Sequence, residues 1–368
     1  MVTGESLLVL SNGTYTPIEK LNDVKCVSID FDDTQHIEET SGSISAKEED
    51  TIEITLDSML SVCGNEDSSV IVRPRSTRKP TWKQLKDIEQ GDNVGILQEL
   101  PYFGTKKQQD AKTVGIIIGS GDYSIASIPI DVEDRRVIDY VQKNHDVEYL
   151  NRATDEQNKT YHKFIIKDVH KLVMSCGIDN QKPKEKTLPA GWQSYDKDTL
   201  IELLEGIIES DGNLFIEENR KPVLYLTFNN EEIAHELLFA FMKLGIHGKI
   251  ELRQENYKRY NEKLKRLREP LWILWIRGKE NFAYLCKQFS FISEEKQKTL
   301  DDAKKVLKKH DAKIQSDIIS KDFRFEKVVD ISNGGYNTVY GVDTKNYIVN
   351  GIFMSDFQYN INNGDNDE

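Results

Sequence analysis

A carboxylate that closes an apolar helix is the strongest chemical signal in the chain. Leu203, Leu204, Ile207 and Ile208 recur at helical spacing, and Asp211-Gly212 follows them. Gly206 lies inside that apolar face, where glycine costs about 1 kcal/mol relative to alanine. The usual compensation is close approach of a second backbone. A helix C-terminus carries partial negative charge, so an acid there calls for a neighbouring cation. Mg²⁺ suits carboxylate oxygens. An amphipathic helix ended by an ordinary Asp-Gly turn, with Gly212 in a left-handed conformation, fits the same residues.

A second copy of the pattern separates the two readings. Thr113-Val114-Gly115-Ile116-Ile117-Ile118-Gly119-Ser120-Gly121-Asp122 again places an inward glycine between apolar turns. The copies lie roughly 90 residues apart, an internal repeat. Two such helices can pack glycine to glycine and bring their C-terminal ends side by side. Ser120 holds the position that Asp211 holds in the second copy.

Both stretches resemble the LAGLIDADG motif of homing endonucleases, the second closely and the first less so. The resemblance implies two pseudo-twofold-related αββαββα halves with the motif helices at their interface. It also implies that the acid ending each helix binds metal at the scissile phosphates. Asp211 is then the metal ligand, and Ser120 a degenerate counterpart that cannot replace a carboxylate on a hard cation. Asp122, two residues on, is a candidate substitute. The family often carries a lysine four residues before a Lys-x-Ile-Pro segment. Lys182 followed by Lys186-Thr187-Leu188-Pro189 fits that spacing, so Lys182 resembles the lysine near the metal and attacking water, with Lys296 as its pseudo-symmetric counterpart; a solvated lysine in a polar loop fits Lys182 as well.

The elements that must position these residues follow from hydrophobic periodicity. Helices are expected near Val132–Lys143, from Val169, over Glu231–Leu244, over Asn281–Phe289 and from Ser293. Strands are expected at Tyr161–Ile166, Leu224–Phe228, Lys249–Arg253 and Leu271–Arg277. In the family such strands form saddle-shaped sheets whose side chains read base edges in the major groove.

The flanks read differently. Leu7–Leu10, Val24–Asp30, Thr51–Leu56 and Ser69–Arg73 are strand-like, Asn12-Gly13 is a hairpin signal, and Thr40–Asp50 has the polar, turn-rich look of a loop. Val2-Thr3-Gly4-Glu5-Ser6, Asn12-Gly13 and Pro17-Ile18-Glu19-Lys20-Leu21 resemble the front of an intein, the Hint fold. Val339–Phe353 is similar to the two closing intein strands. The layout looks most like the branch that holds the yeast vacuolar-ATPase intein and the mating-type switching endonuclease. Splicing needs a nucleophile first, an activating His, a terminal Asn and a second nucleophile. Met1, the Thr55–Ser58 region, Lys345 and Met354-Ser355-Asp356-Phe357 lack these groups, so the resemblance implies a splicing-dead scaffold.

The expected architecture is therefore α+β. An all-β Hint-like domain (1–104 and 319–357) carries an inserted two-repeat αββαββα LAGLIDADG endonuclease domain. The insert spans 105–318, with repeats at about 111–190 and 200–318, and an acidic, disordered tail covers 358–368.

Composition bounds the function. The net charge of −13 argues against generic nucleic-acid binding. Basic clusters nonetheless occur at Arg73, Arg75, Arg78, Lys79 and Lys83, and again at Lys258, Arg259, Lys263, Lys265, Arg266 and Arg268. Each is read either as a solvated face or as a DNA-phosphate contact, the second as a segment that orders on DNA. No run approaches the roughly 18 apolar residues of a membrane span. Cys26, Cys63, Cys176 and Cys286 are scattered and read as buried thiols of an intracellular protein, nuclear in a eukaryote. The sequence is thus expected to encode a monomeric, pseudo-twofold, Mg²⁺- or Mn²⁺-dependent double-strand DNA endonuclease. The competing expectation is an eroded DNA-binding relative without nuclease activity.

Overall fold

The structure is a computed structural model. It describes residues 1–30, 36–74, 79–100, 102–120, 128–154, 160–167, 169–178, 185–218, 221–253, 257–260, 263–266, 270–308 and 323–356. Large antiparallel sheets and, among the described residues, seven α-helices give a mixed α and β architecture. The chain divides into two compact units, Met1–Phe103 with Gln315–Glu368, and Gly104–Ile314. Among the described residues no helix is long and apolar enough to cross a membrane.

The first unit is a twelve-stranded antiparallel network. Its backbone is a pair of very long strands, His36–Leu56 and Phe323–Val342, paired from Ile44 opposite Val342 to Leu56 opposite Val328, with register shifts between Val328 and Asp330 and between Asn333 and Gly335. This corrects the expectation of a loop at Thr40–Asp50. Residues 36–43 take their ladder from strand Asp23–Asp30, and residues 44–56 take theirs from Phe323–Val342. With the backbone paired, polar side chains such as Glu48 and Asp50 face water, and Glu48 also accepts from the Thr338 hydroxyl across the ladder. The turn-like composition reported exposure, not chain reversal.

The second unit holds the helices α1 (Ala111–Ser120), α2 (Arg135–Val141), α3 (His170–Ser175), α4 (Lys197–Asp211), α5 (Glu231–Lys243), α6 (Lys279–Gln288) and α7 (Glu294–Lys308). Side-chain caps start three of them. Asp134 accepts from Arg136 N at 2.9 Å, Asp196 from Thr199 N at 2.8 Å, and Asn230 from Glu232 N at 2.8 Å. The helix expected over Val132–Lys143 is shorter, because Val132 ends a strand, Ile128–Val132, before Asp134 starts α2.

Two sheets accompany the helices. One orders Ile128–Val132, Thr160–Ile166 and Val147–Thr154; the other orders Asn213–Ile216, Pro222–Phe228, Leu271–Arg277 and Gly248–Arg253. Helix α5 packs on one face of the four-stranded sheet and buries Ile233, Leu237, Leu238 and Phe241. Gly245, at φ 76°, lets the chain turn out of α5 into the strand. The basic segment that was expected to order on DNA is a hairpin, Tyr257–Tyr260 paired with Lys263–Arg266, with Lys258 opposite Lys265.

Candidate active site at the paired helix ends

Helices α1 and α4 meet at their glycines. A Cβ on Gly115 would strike the Leu203 carbonyl oxygen and come within 2.9 Å of the Gly206 Cα. A Cβ on Gly206 would strike the Lys112 carbonyl oxygen and come within 2.9 Å of the Gly115 Cα. The two positions are mirror partners in one close contact, the role the spacing predicts. Gly212 differs from expectation. Its φ of −81° and ψ of 132° are extended, not left-handed. It is restricted by space instead, since a Cβ there would lie 2.8 Å from the Ile208 Cα and carbonyl oxygen.

Each helix end holds a lysine. Lys186 Nζ donates to the Ile118 and Gly119 carbonyl oxygens at 3.0 and 3.4 Å, at the end of α1. Lys296 Nζ is buried and donates to the Ile208 and Glu209 carbonyl oxygens, both at 2.7 Å, at the end of α4. An ammonium at the negative end of a helix satisfies orphan carbonyls and opposes the macrodipole. Lys186 and Lys296 thus hold matching places at the two helix ends; Lys182, the expected counterpart of Lys296, lies outside the described residues. Lys186 was visible in the sequence as the first residue of Lys186-Thr187-Leu188-Pro189. Spacing alone could not say that it turns inward onto the end of α1.

Asp211 is the last residue of α4. Burial pushes its carboxyl up from 3.8 to about 7, against the opposing fields of Lys186 and Lys296. Among the described residues no hydrogen bond or ion pair closes on it. Ser120 is the last residue of α1. Asp122, the candidate substitute, lies outside the described residues.

Two further acids on α4 went unnoticed in the sequence, although both are buried. Glu209 accepts from Ile292 N and, at 3.2 Å, from Ser293 N, just ahead of α7, and burial raises its carboxyl. Helix α7 returns Lys296 to the end of α4, so the two helices cap each other. Glu205 binds Lys112 Nζ at 2.6 Å and Ser290 N at 2.5 Å. In the first copy Val114 and Ile118 hold these two positions, so the Asp211 end alone has this carboxylate support. An acid inside an apolar motif gives a periodicity scan no signal.

A divalent cation fits this geometry in a limited way. Among the described residues no three His, Cys, Asp or Glu side chains converge on one point. Asp211 is a half-buried carboxylate that feels the fields of two lysines and, among the described residues, has no direct partner. Mg²⁺ tolerates such a site, because it keeps several waters and takes other oxygens from substrate phosphates.

No known family profile matches the chain. A replicative DNA helicase DnaB of Synechocystis sp. is 20% identical over 258 residues, a match that covers 65% of this chain. The match takes in 29% of the helicase, so the chain corresponds to less than a third of that protein's length.

The expected DNA contacts fare unevenly. The Arg73 guanidinium lies 4.8 Å over the Phe325 ring and Lys83 pairs with Asp92 at 2.8 Å, so both are engaged within their own unit. Lys79 is exposed. Arg75, Arg78 and Arg268 lie outside the described residues. Lys258 and Arg259 lie on one strand of the basic hairpin, and Lys263, Lys265 and Arg266 on the other. The charge objection to DNA weakens once it is divided. The first unit has 28 acidic and 13 basic residues, the second 34 and 36.

In the first unit the Met1 nitrogen sits among Asn65 Oδ1 at 2.8 Å, Ser68 Oγ and Asp356 Oδ1. Ser68 Oγ is 2.9 Å from Asp356 Oδ1, and Tyr347 donates to Asp356 Oδ2 at 2.8 Å. Asn65 and Ser68, not the Thr55–Ser58 region, therefore occupy the place beside the first residue. Cys26 and Cys176 are buried, while Cys63 and Cys286 are only half-buried, and all four are free thiols.

Proposed function

We propose that the second unit is a LAGLIDADG-type, site-specific DNA endonuclease and that the first is a Hint-like scaffold that does not splice. One observation carries the reading. The close glycine pair packs α1 against α4, and the carboxylate that ends α4, Asp211, lies in the fields of the two lysines that cap the helix ends. Mg²⁺ or Mn²⁺ held by Asp211 would polarise a phosphate and acidify bound water. Asp211 supplies the negative charge that positions such a cation. Lys186 and Lys296 neutralise the helix ends and so leave the neighbourhood electropositive for a phosphodiester and for charge that develops on it. The buckle between Glu209 and Lys296 fixes the Asp211 end. The near-balanced charge of the second unit and its basic hairpin suit duplex DNA. The DNA helicase among the chain's relatives agrees with a DNA substrate.

For the first unit, the described partners of the Met1 nitrogen, Asn65, Ser68 and Asp356, include no thiol and no imidazole. That leaves neither a nucleophile nor its activating base in the place where splicing chemistry would need them.

Ser120 favours a second reading, a DNA-binding remnant that no longer cuts. The two separate in a plasmid-library cleavage assay with Mg²⁺ or Mn²⁺. The nuclease reading expects nicked product in excess of linear product, since Ser120 gives one strand no carboxylate. It expects Ser120→Asp to raise linear product. Salt-sensitive binding with no cleavage by either protein supports the remnant.

A further inference from the structure

Residues two apart on a strand share a face. On the four-stranded sheet, the face away from α5 carries Phe215, Tyr225, Trp275 and Arg277, with Tyr225 directly opposite Trp275 and Val223 opposite both Phe215 and Arg277. The aromatic rings form a connected series. Phe215 and Tyr225 have centroids 6.1 Å apart in an edge contact, and Tyr225 and Trp275 are 4.8 Å apart. Trp275 Nε1 donates to Glu251 Oε2 at 2.7 Å, which fixes the indole. The Arg277 guanidinium lies 4.2 Å above that indole, and the side chain is exposed. Among the described residues no carboxylate reaches it.

A guanidinium stacked on a fixed ring keeps its forked donors in one plane and free for a ligand. Less rotamer freedom remains to be lost on binding. Such a fork matches the O6 and N7 acceptors of guanine, which lie together only in the major groove. A phosphate oxygen pair would also accept it, but would need no aromatic surface around it. The flanking rings, Phe215 and Tyr225, suit thymine methyl groups on the same groove floor.

We propose that Arg277 is the specificity-determining residue of this sheet, reading one guanine through two parallel hydrogen bonds, with Trp275 and Glu251 as its positioning residues. The proposal rests on the duplex-DNA reading above.

The test is selection from a randomised double-stranded DNA library with the full chain, without divalent metal so that no strand is cut. The parent is expected to enrich a motif with one fixed guanine. Arg277→Lys keeps the charge but loses the fork, and is expected to reduce preference at that position about tenfold while the rest of the motif stands. Trp275→Leu leaves Arg277 in place and is expected to weaken the same position. Matching thermal melts for Arg277→Lys and the parent exclude a folding defect. An unchanged motif in Arg277→Lys overturns the proposal. So does a uniform loss of affinity across all sequences, which marks a phosphate contact. A parent that retains no duplex refutes the DNA reading itself, and the proposal with it.

Discussion

At the scale of single residues, the account turns on the protonation of Asp211. Its folded value, about 7, lies above the ordinary 3.8 because burial outweighs the two lysines. The folded state therefore binds the proton more tightly than the unfolded chain does. Stability from this residue is complete below the ordinary value and is lost as pH rises through about 7. Above that pH the parent carries a partly desolvated charge that Asp211→Asn removes. Asp211→Asn is expected to melt at least ~2 °C higher than the parent at pH 8, about 1 kcal/mol corresponding to 2–4 °C at this size. The gap should close toward pH 4. A melt that is lower than the parent at pH 8 would show that Asp211 is held by a partner and is not a strained, functional group.

At the scale of elements, the α1–α4 contact is the feature on which the site depends. Alanine at either Gly115 or Gly206 places a methyl against a backbone carbonyl, which cannot move as a side-chain tip could. Gly115→Ala and Gly206→Ala are each expected to cost ~1–3 kcal/mol, and leucine several more, measured by denaturant melts. Unchanged midpoints in both alanine variants would rule out the glycine-to-glycine interface. This contact was legible because a glycine in an apolar helix face violates local propensity, and two such violations at matching places explain each other. The strand at Thr40–Asp50 was illegible for the opposite reason. From Ile44 onward its pairing partner is nearly three hundred residues away, as in Asp50 opposite Tyr336, and local composition carries no trace of it. Lys186, Glu205 and Glu209 were missed on the same ground, since each works through a partner supplied by a distant segment.

At the scale of the molecule, the two units divide chemistry and charge. The first holds a surplus of acids and the second a slight surplus of bases. DNA binding should therefore follow the second unit's cations. Replacing Lys258 and Lys265 with Gln is expected to reduce the slope of log affinity against log salt by about 2, at roughly 0.9 per phosphate contact. Sequence preference should not change. An unaltered slope would remove the hairpin from the interface. Among the described residues the Met1 nitrogen bonds Asn65, Ser68 and Asp356, none of them a thiol or an imidazole. Reporter domains fused to both ends should remain joined to the chain on incubation, and a ligated reporter product would refute the splicing-dead reading.

The central claim is that the α4 end is a phosphodiester-cleaving centre. Incubating the parent and Asp211→Asn with a plasmid library and Mg²⁺ or Mn²⁺ tests it most directly, with nicked and linear forms scored for each. The account predicts nicked product from the parent, less linear product, and neither from Asp211→Asn. Cleavage by Asp211→Asn at the parent's level, or none by the parent under any metal, would contradict it.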